Sequence, residues 1–166
     1  MTGCRGPILV VDDDPDMQVF LANLLTEGGF EALVADSGPE GLRLAKDVRP
    51  ALIVLDARLS RRPGEDVYRS LKLDPKLRRI PVIMLSLLPR KTCLYYRKLA
   101  DSRQGERLPE PEAFLDKPPE ADDLLGRVRR LVTAGGRGAT ADAAAADRLT
   151  AAGAAGSIEE RRRSLE

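Results

Sequence analysis

The run Ala51-Leu-Ile-Val-Leu55, which ends at Asp56, is the most strand-like stretch of the sequence. All five of its positions are apolar, a pattern typical of a central parallel strand that is buried on both faces. Weaker or shorter runs of the same kind occur at Ile8-Leu-Val-Val11, 30–35, Pro81-Val-Ile-Met-Leu85 and Ala113-Phe-Leu115. The sequence therefore predicts five strands.

Segments with helical spacing of apolar residues follow these runs. Asp14-Pro15 supplies an N-cap and a first-turn proline, Gly28-Gly29 ends that helix, and Ser37-Gly-Pro-Glu40 has the spacing of a capping box. Later helices are predicted over 63–73, 89–100 and 119–132, with a loop over 101–111. Five β-α units in succession predict an α/β fold with a doubly wound parallel sheet in the flavodoxin-like order 2-1-3-4-5.

The composition excludes several classes of protein. The chain has 166 residues, no His, and 27 Lys+Arg against 26 Asp+Glu, a formal charge of +1. Without His it has no Ser-His-Asp or Cys-His catalytic pair, no imidazole zinc ligand and no phosphohistidine of its own. The near-neutral charge and the lack of a recognition-helix motif argue against direct nucleic-acid binding.

The length suits one domain, expected over 7–133, with an appendage. Ala and Gly fill 16 of the 33 positions over 134–166, so this tail lacks the large apolar residues of a core and is expected to be flexible. The chain has two cysteines, its first segment lacks the apolar core of a signal peptide, and it has no apolar run of about 18 residues. These features predict a cytoplasmic protein that makes no membrane contact.

Polar side chains stand at the ends of four predicted strands. Asp12 and Asp13 follow the first strand, Asp56 ends the third, Ser86 ends the fourth, and Lys117 follows the fifth. Singly, each is more simply explained as a turn, cap or surface residue. Because function in such sheets lies at the carboxyl ends of the strands, we expect these side chains to converge.

Three converging carboxylates would repel one another and raise each other's pKa unless a cation neutralised them. Their hard oxygen ligands suit Mg²⁺. A lysine ammonium and a hydroxyl beside that cation could neutralise and hydrogen-bond the oxygens of a phosphoryl group. Asp56 could then act as a nucleophile and form an aspartyl phosphate.

Four motifs, Ile8-Leu-Val-Val-Asp-Asp-Asp14, Leu55-Asp56, Ser86 and Phe114-Leu-Asp-Lys-Pro118, resemble the receiver domain of two-component response regulators, and the resemblance covers about 7–132. It implies these roles: Asp12 and Asp13 as the acidic metal-binding pair, Asp56 as phosphoacceptor and metal ligand, the Arg58 backbone carbonyl as a further metal contact, Ser86 and Phe114 as the switch pair, Lys117 as the phosphoryl-binding lysine, and a cis Lys117–Pro118 bond. Mg²⁺ is the implied cofactor.

The sequence departs from the family pattern in three places. Leu59-Ser60 stands where the family has Met-Pro, and Leu87 stands where it prefers a small residue. The gap between Ser86 and Lys117 is longer than usual by about two and a half helical turns. These departures leave the nucleophile and the ligands in place and bear instead on the rate of phosphorylation and the shape of the switching face.

The resemblance also implies partners. A sensor histidine kinase or a histidine phosphotransfer protein would exchange a phosphoryl group with Asp56, and a downstream protein target would be reached by contact, with homodimerisation left open. Residues 58–110 carry 14 Lys+Arg, Arg97 among them, against 6 Asp+Glu. This charge indicates either a solvated surface or a docking face for an acidic partner. Packing roles are expected for Leu94, Tyr95, Tyr96 and Leu99, with at most one tyrosine exposed.

Two other functions stay open. A degenerate receiver that binds proteins without being phosphorylated usually lacks the acceptor Asp or the Lys, and both are present here. A phosphatase of the haloacid dehalogenase type also uses an aspartyl nucleophile and Mg²⁺, but it needs a second Asp two residues later, where this chain has Arg58. A signalling domain that is not an enzyme is therefore the expected function.

Overall fold

A computed structural model describes residues 6–60, 63–105 and 107–135. Within these ranges, five strands and five helices alternate in the order β1 (Ile8–Val11), α1 (Pro15–Glu27), β2 (Ala32–Ala35), α2 (Gly38–Val48), β3 (Leu52–Asp56), α3 (Gly64–Leu73), β4 (Val82–Ser86), α4 (Arg90–Gln104), β5 (Ala113–Asp116) and α5 (121–135). The strands are parallel and lie in the order β2-β1-β3-β4-β5. The predicted α/β class and strand order are confirmed.

The three central strands are buried along their whole length. Their side chains alternate between the two faces of the sheet, so each strand supplies two apolar cores. One core packs residues such as Ile8 and Val10 against α1 and α5. The other packs residues such as Leu9 and Val11 against α2 and α3. This double coverage explains why these strands read as unbroken apolar runs.

Two predicted caps fix where helices begin beside the site. The Asp14 side chain accepts a hydrogen bond from the Asp16 N–H at 3.0 Å, and Pro15 occupies the first helical position. The Ser37 hydroxyl accepts a bond from the Glu40 N–H at 3.4 Å. Because α1 cannot begin before its cap, Asp12 and Asp13 stay in the short loop that follows β1.

The end predicted for α4, at residue 100, is wrong, because the helix continues to Gln104. Asp101 lies within the helix and pairs with Arg69 of α3 at 2.8 Å. Gly105 then ends the helix with a left-handed φ of 71°, and its N–H donates to the Asp101 carbonyl. A glycine after the last turn favours this conformation, so the sequence did hold the signal for the true end.

The expected packing is wrong for three of the four α4 side chains, whereas Leu94 is half-buried. Tyr95 and Tyr96 are 61% and 58% exposed, and Leu99 is exposed as well. Arg97, counted with the surface charges, is buried instead. Its guanidinium lies 4.6 Å from the centre of the Tyr68 ring and donates to the Pro109 carbonyl. A cation over an aromatic face is a stable arrangement that periodicity alone does not reveal.

The chain separates into two units, Met1–Val132 and Thr133–Glu166. Only residues 133–135 of the second unit are described, so the predicted boundary at 133 and the flexible tail over 134–166 stay predictions. Within the described ranges, the helices are too short or too polar to cross a lipid bilayer.

Candidate functional site

The three predicted acidic residues meet at the carboxyl ends of β1 and β3. One carboxylate oxygen from each of Asp12, Asp13 and Asp56 lies within 4.8 Å of those of the other two. The meeting follows from the topology, because β1 and β3 are parallel neighbours that end at the same edge. Asp12 and Asp56 are only 1% and 5% exposed, while Asp13 is half-buried.

Lys117 joins two of these carboxylates from the end of β5. Its Nζ lies 2.7 Å from Asp12 Oδ2 and 3.1 Å from Asp56 Oδ2. Burial acts to lower the pKa of Lys117, but the two carboxylates paired with its ammonium outweigh that effect, and the net shift is upward. The lysine is therefore charged at neutral pH. The Lys117–Pro118 peptide bond is cis, as the resemblance implied.

The surroundings of the Asp56 carboxylate disfavour its ionised form. Burial raises the pKa of Asp56, and the Asp12 charge adds to that rise. The Arg58 N–H, which donates to Asp56 Oδ1 at 3.0 Å, and the Lys117 ammonium oppose it without cancelling it. An additional cation close to the Asp56 carboxylate would favour its ionised form.

Asp13 is held by a residue that the sequence analysis did not assign to the site. Ser60, in the loop after β3, donates its backbone N–H to Asp13 Oδ2 at 2.8 Å, and its hydroxyl donates to the same oxygen. The hydroxyl bond is the main cause of the lowered pKa of Asp13. The sequence did contain a hint of this contact, because serine stands at position 60 where the resembled family has proline, which cannot donate a hydrogen bond from its backbone.

The predicted switch residues lie at the ends of β4 and β5. Ser86 is buried, and its carbonyl accepts the Lys117 N–H at 3.0 Å, which places it beside the lysine. Its hydroxyl accepts the Leu88 N–H at 3.0 Å and lies 3.3 Å from the Cys93 thiol. Phe114 is half-buried, and the Arg90 guanidinium lies 5.8 Å from the centre of its ring.

Gly64, at the start of α3, makes room for the β3 end. A Cβ on this residue would stand 2.1 Å from the Asp56 carbonyl oxygen and 2.8 Å from Ala57 Cα. No side chain fits at that distance, so glycine is required for α3 to approach the strand that carries Asp56.

The donor set fits a hard divalent cation. Three carboxylates face one ammonium, an excess of two negative charges in a largely buried volume. Carboxylate oxygens are the ligands that Mg²⁺ prefers, and its octahedral shell leaves positions for water and phosphate. The residues that would hold it are those whose oxygens converge here, Asp12, Asp13 and Asp56.

The comparisons with known proteins identify the family. The model of the response regulator receiver domain matches residues 8–96, just over half of the chain. The chain belongs to the response regulator receiver family. Receiver domains are signalling modules that interact with histidine kinases or phosphotransfer proteins, and they bind Mg²⁺ at an acidic pocket of this kind.

Curated proteins of different lengths are similar to this chain. Protein PilH of Pseudomonas aeruginosa is 29% identical over 125 residues, which are 75% of this chain and 96% of PilH. The DNA-binding dual master transcriptional regulator RpaA of Synechocystis is 32% identical over 75% of this chain. The chain spans only 48% of RpaA, and about a third or less of some other curated relatives.

A solved structure shows the same fold. The signal receiver domain of a signal transduction histidine kinase from Syntrophus aciditrophicus is 31% identical, and the superposition has a TM-score of 0.66. It covers 78% of this chain and 91% of that domain.

Proposed function

We propose that this receiver accepts a phosphoryl group on Asp56 from the phosphohistidine of a sensor histidine kinase or a histidine phosphotransfer protein, and that it signals by protein contact in the cytoplasm. The observation that supports this most directly is the Lys117 ammonium, which lies between Asp12 and Asp56. A carboxylate oxygen of Asp13 lies within 4.8 Å of oxygens of these two residues. The absence of His fits, because the donor imidazole must then come from a partner.

Each residue has a defined task in the proposed transfer. An Asp56 carboxylate oxygen attacks phosphorus, the P–N bond to the donor imidazole breaks, and the imidazole leaves with the bonding electrons. Lys117 neutralises charge on the phosphoryl oxygens, and the Ser86 hydroxyl donates a hydrogen bond to one of them. Mg²⁺, held by Asp13, Asp56 and the Arg58 carbonyl with Asp12 beside it, would supply further charge neutralisation.

The output surface that we assign is the exposed face of α4. Lys91 and Lys98 are exposed there beside Tyr95, Tyr96 and Leu99. Amphipathic aromatic rings and cations together suit a protein surface that is acidic and partly apolar. The same face is open to a second copy of the chain, and direct binding to nucleic acid is not proposed.

Intact-mass analysis tests the phosphorylation. The wild-type chain incubated with acetyl phosphate and Mg²⁺ should gain one phosphoryl group, and Asp56→Ala should gain none, because it lacks the attacking oxygen. Asp47→Ala is the matched control, since Asp47 is exposed on α2 and pairs only with Arg43 among the described contacts. Chelation of Mg²⁺ should abolish the adduct.

Two outcomes would contradict the proposal. A wild-type chain that gains no phosphoryl group would point to an unphosphorylated protein-binding module. Continuous release of phosphate from simple phosphate esters would point to a phosphatase.

A further inference from the structure

We infer that Ser60 is a positioning residue for the metal site, a role that rests on the function proposed above. Ser60 lies four residues after Asp56 in the sequence. The family resemblance assigns it no role in the site. Ser60 is exposed, so its contacts serve no core. Both of its donors nevertheless converge on one oxygen, Asp13 Oδ2.

The bonds to Asp13 connect two loops that are distant in sequence. Asp13 lies in the β1–α1 loop and Ser60 in the β3–α3 loop, 47 residues later. Asp12 and Asp56 are already oriented by Lys117, whereas the hydrogen bonds described for the Asp13 side chain come from Ser60. Since both donors occupy Oδ2, the rotation of the carboxylate is restricted, and Oδ1 accepts neither of the two Ser60 bonds.

Ser60 also restrains the backbone that carries the Arg58 carbonyl. The Arg58 N–H is bound to Asp56 Oδ1 at 3.0 Å, and Ser60 is bound to Asp13. The carbonyl proposed as a metal contact therefore lies between two anchored points of the same short loop. A proline at position 60, as in the resembled family, would have neither the N–H nor the hydroxyl to form the second anchor.

Oriented carboxylates bind metal better than free ones, and loss of such supporting hydrogen bonds typically weakens metal binding about 10–100-fold. Ser60→Ala keeps the backbone N–H and loses the hydroxyl, so we expect Mg²⁺ binding about tenfold weaker than in the wild type. Ser60→Thr keeps the hydroxyl and should restore most of the affinity.

Calorimetric titration of MgCl₂ into the full chain measures this affinity without any phosphorylation. Ser102→Ala is the matched control, because among the described residues the Ser102 hydroxyl bonds only within α4, to the Lys98 carbonyl. A double-mutant cycle separates positioning from a general effect on the fold: on an Asp13→Asn background, Ser60→Ala should cause little further loss.

Mg²⁺ binding by Ser60→Ala as tight as in the wild type, or tighter, would overturn the role of Ser60 while leaving the proposed function intact. The same holds for an equal loss from Ser60→Ala on both backgrounds. A wild-type chain that binds no Mg²⁺ would overturn the role of Ser60 together with the metal-dependent mechanism.

Discussion

At the scale of single residues, the site balances charge against burial. Asp12 and Asp56 are almost fully buried, and burial of a carboxylate is costly unless it is paired and hydrogen-bonded. Lys117 supplies the pairing for both, and the Arg58 N–H supplies a hydrogen bond to Asp56. One ammonium leaves two of the three negative charges unbalanced, which is the physical reason to expect a divalent cation here.

The close approach at Gly64 gives a residue-scale prediction. Because an added Cβ would stand 2.1 Å from the Asp56 carbonyl oxygen, Gly64→Ala must move backbone, and its free energy of unfolding should fall by about 1–3 kcal/mol. Urea unfolding measures the change. Gly126→Ala is the matched control: its Cβ would meet nothing within 4 Å in α5, so helix propensity should raise the stability by up to about 1 kcal/mol. Equal effects at the two glycines would contradict the clash.

At the scale of elements, the first turn of α4 contacts both proposed switch residues. Cys93 lies 3.3 Å from the Ser86 hydroxyl, and Arg90 lies over the Phe114 ring and 3.4 Å from Glu110. A change at the phosphoryl site that moves the Ser86 hydroxyl would therefore break a contact with α4, the helix that carries the exposed tyrosines. Such coupling requires two packings that differ in their affinity for the phosphoryl group.

The thiol of Cys93 can report that change. On a Cys4→Ser background it is the only thiol of the chain, and it is buried against Ser86. When the Ser86 hydroxyl turns to a phosphoryl oxygen it gives up the thiol contact, so iodoacetamide should alkylate phosphorylated chains faster than unphosphorylated ones. Intact mass records both modifications in one sample. With Asp56→Ala added, acetyl phosphate should leave the alkylation rate unchanged. Equal rates with and without the phosphoryl group would disprove the coupling.

At the scale of the whole molecule, local signals carried most of the sequence-based prediction. The observed bounds of β1, β3 and β4 follow the apolar runs to within a residue, because a buried parallel strand must be apolar throughout. The acidic trio could be predicted to meet, since parallel strands share one edge. Long-range pairings could not: Ser60 reaches Asp13 across 47 residues, and Arg97 is buried by Tyr68 and Pro109.

Mg²⁺ bound at the acidic site would also stabilise the whole fold. The carboxylates converge only when β1 and β3 are paired, so the unfolded chain has no comparable Mg²⁺ site. A ligand that binds the folded state alone stabilises it by RT ln(1 + [L]/Kd), about 1.4 kcal/mol at a concentration ten times Kd. For a domain of this size, that gain raises the melting temperature by about 3–6 °C.

Thermal unfolding followed by circular dichroism should therefore show a melting temperature that rises with Mg²⁺ in the wild-type chain. Asp13→Asn removes one ligand charge and should abolish most of the rise, because the remaining carboxylates are already paired with Lys117. NaCl at matched ionic strength is the control for screening, and its effect should be small because the chain has a formal net charge of only +1. The same rise in NaCl, or in Asp13→Asn, would show that Mg²⁺ acts as a general salt and not at the acidic site.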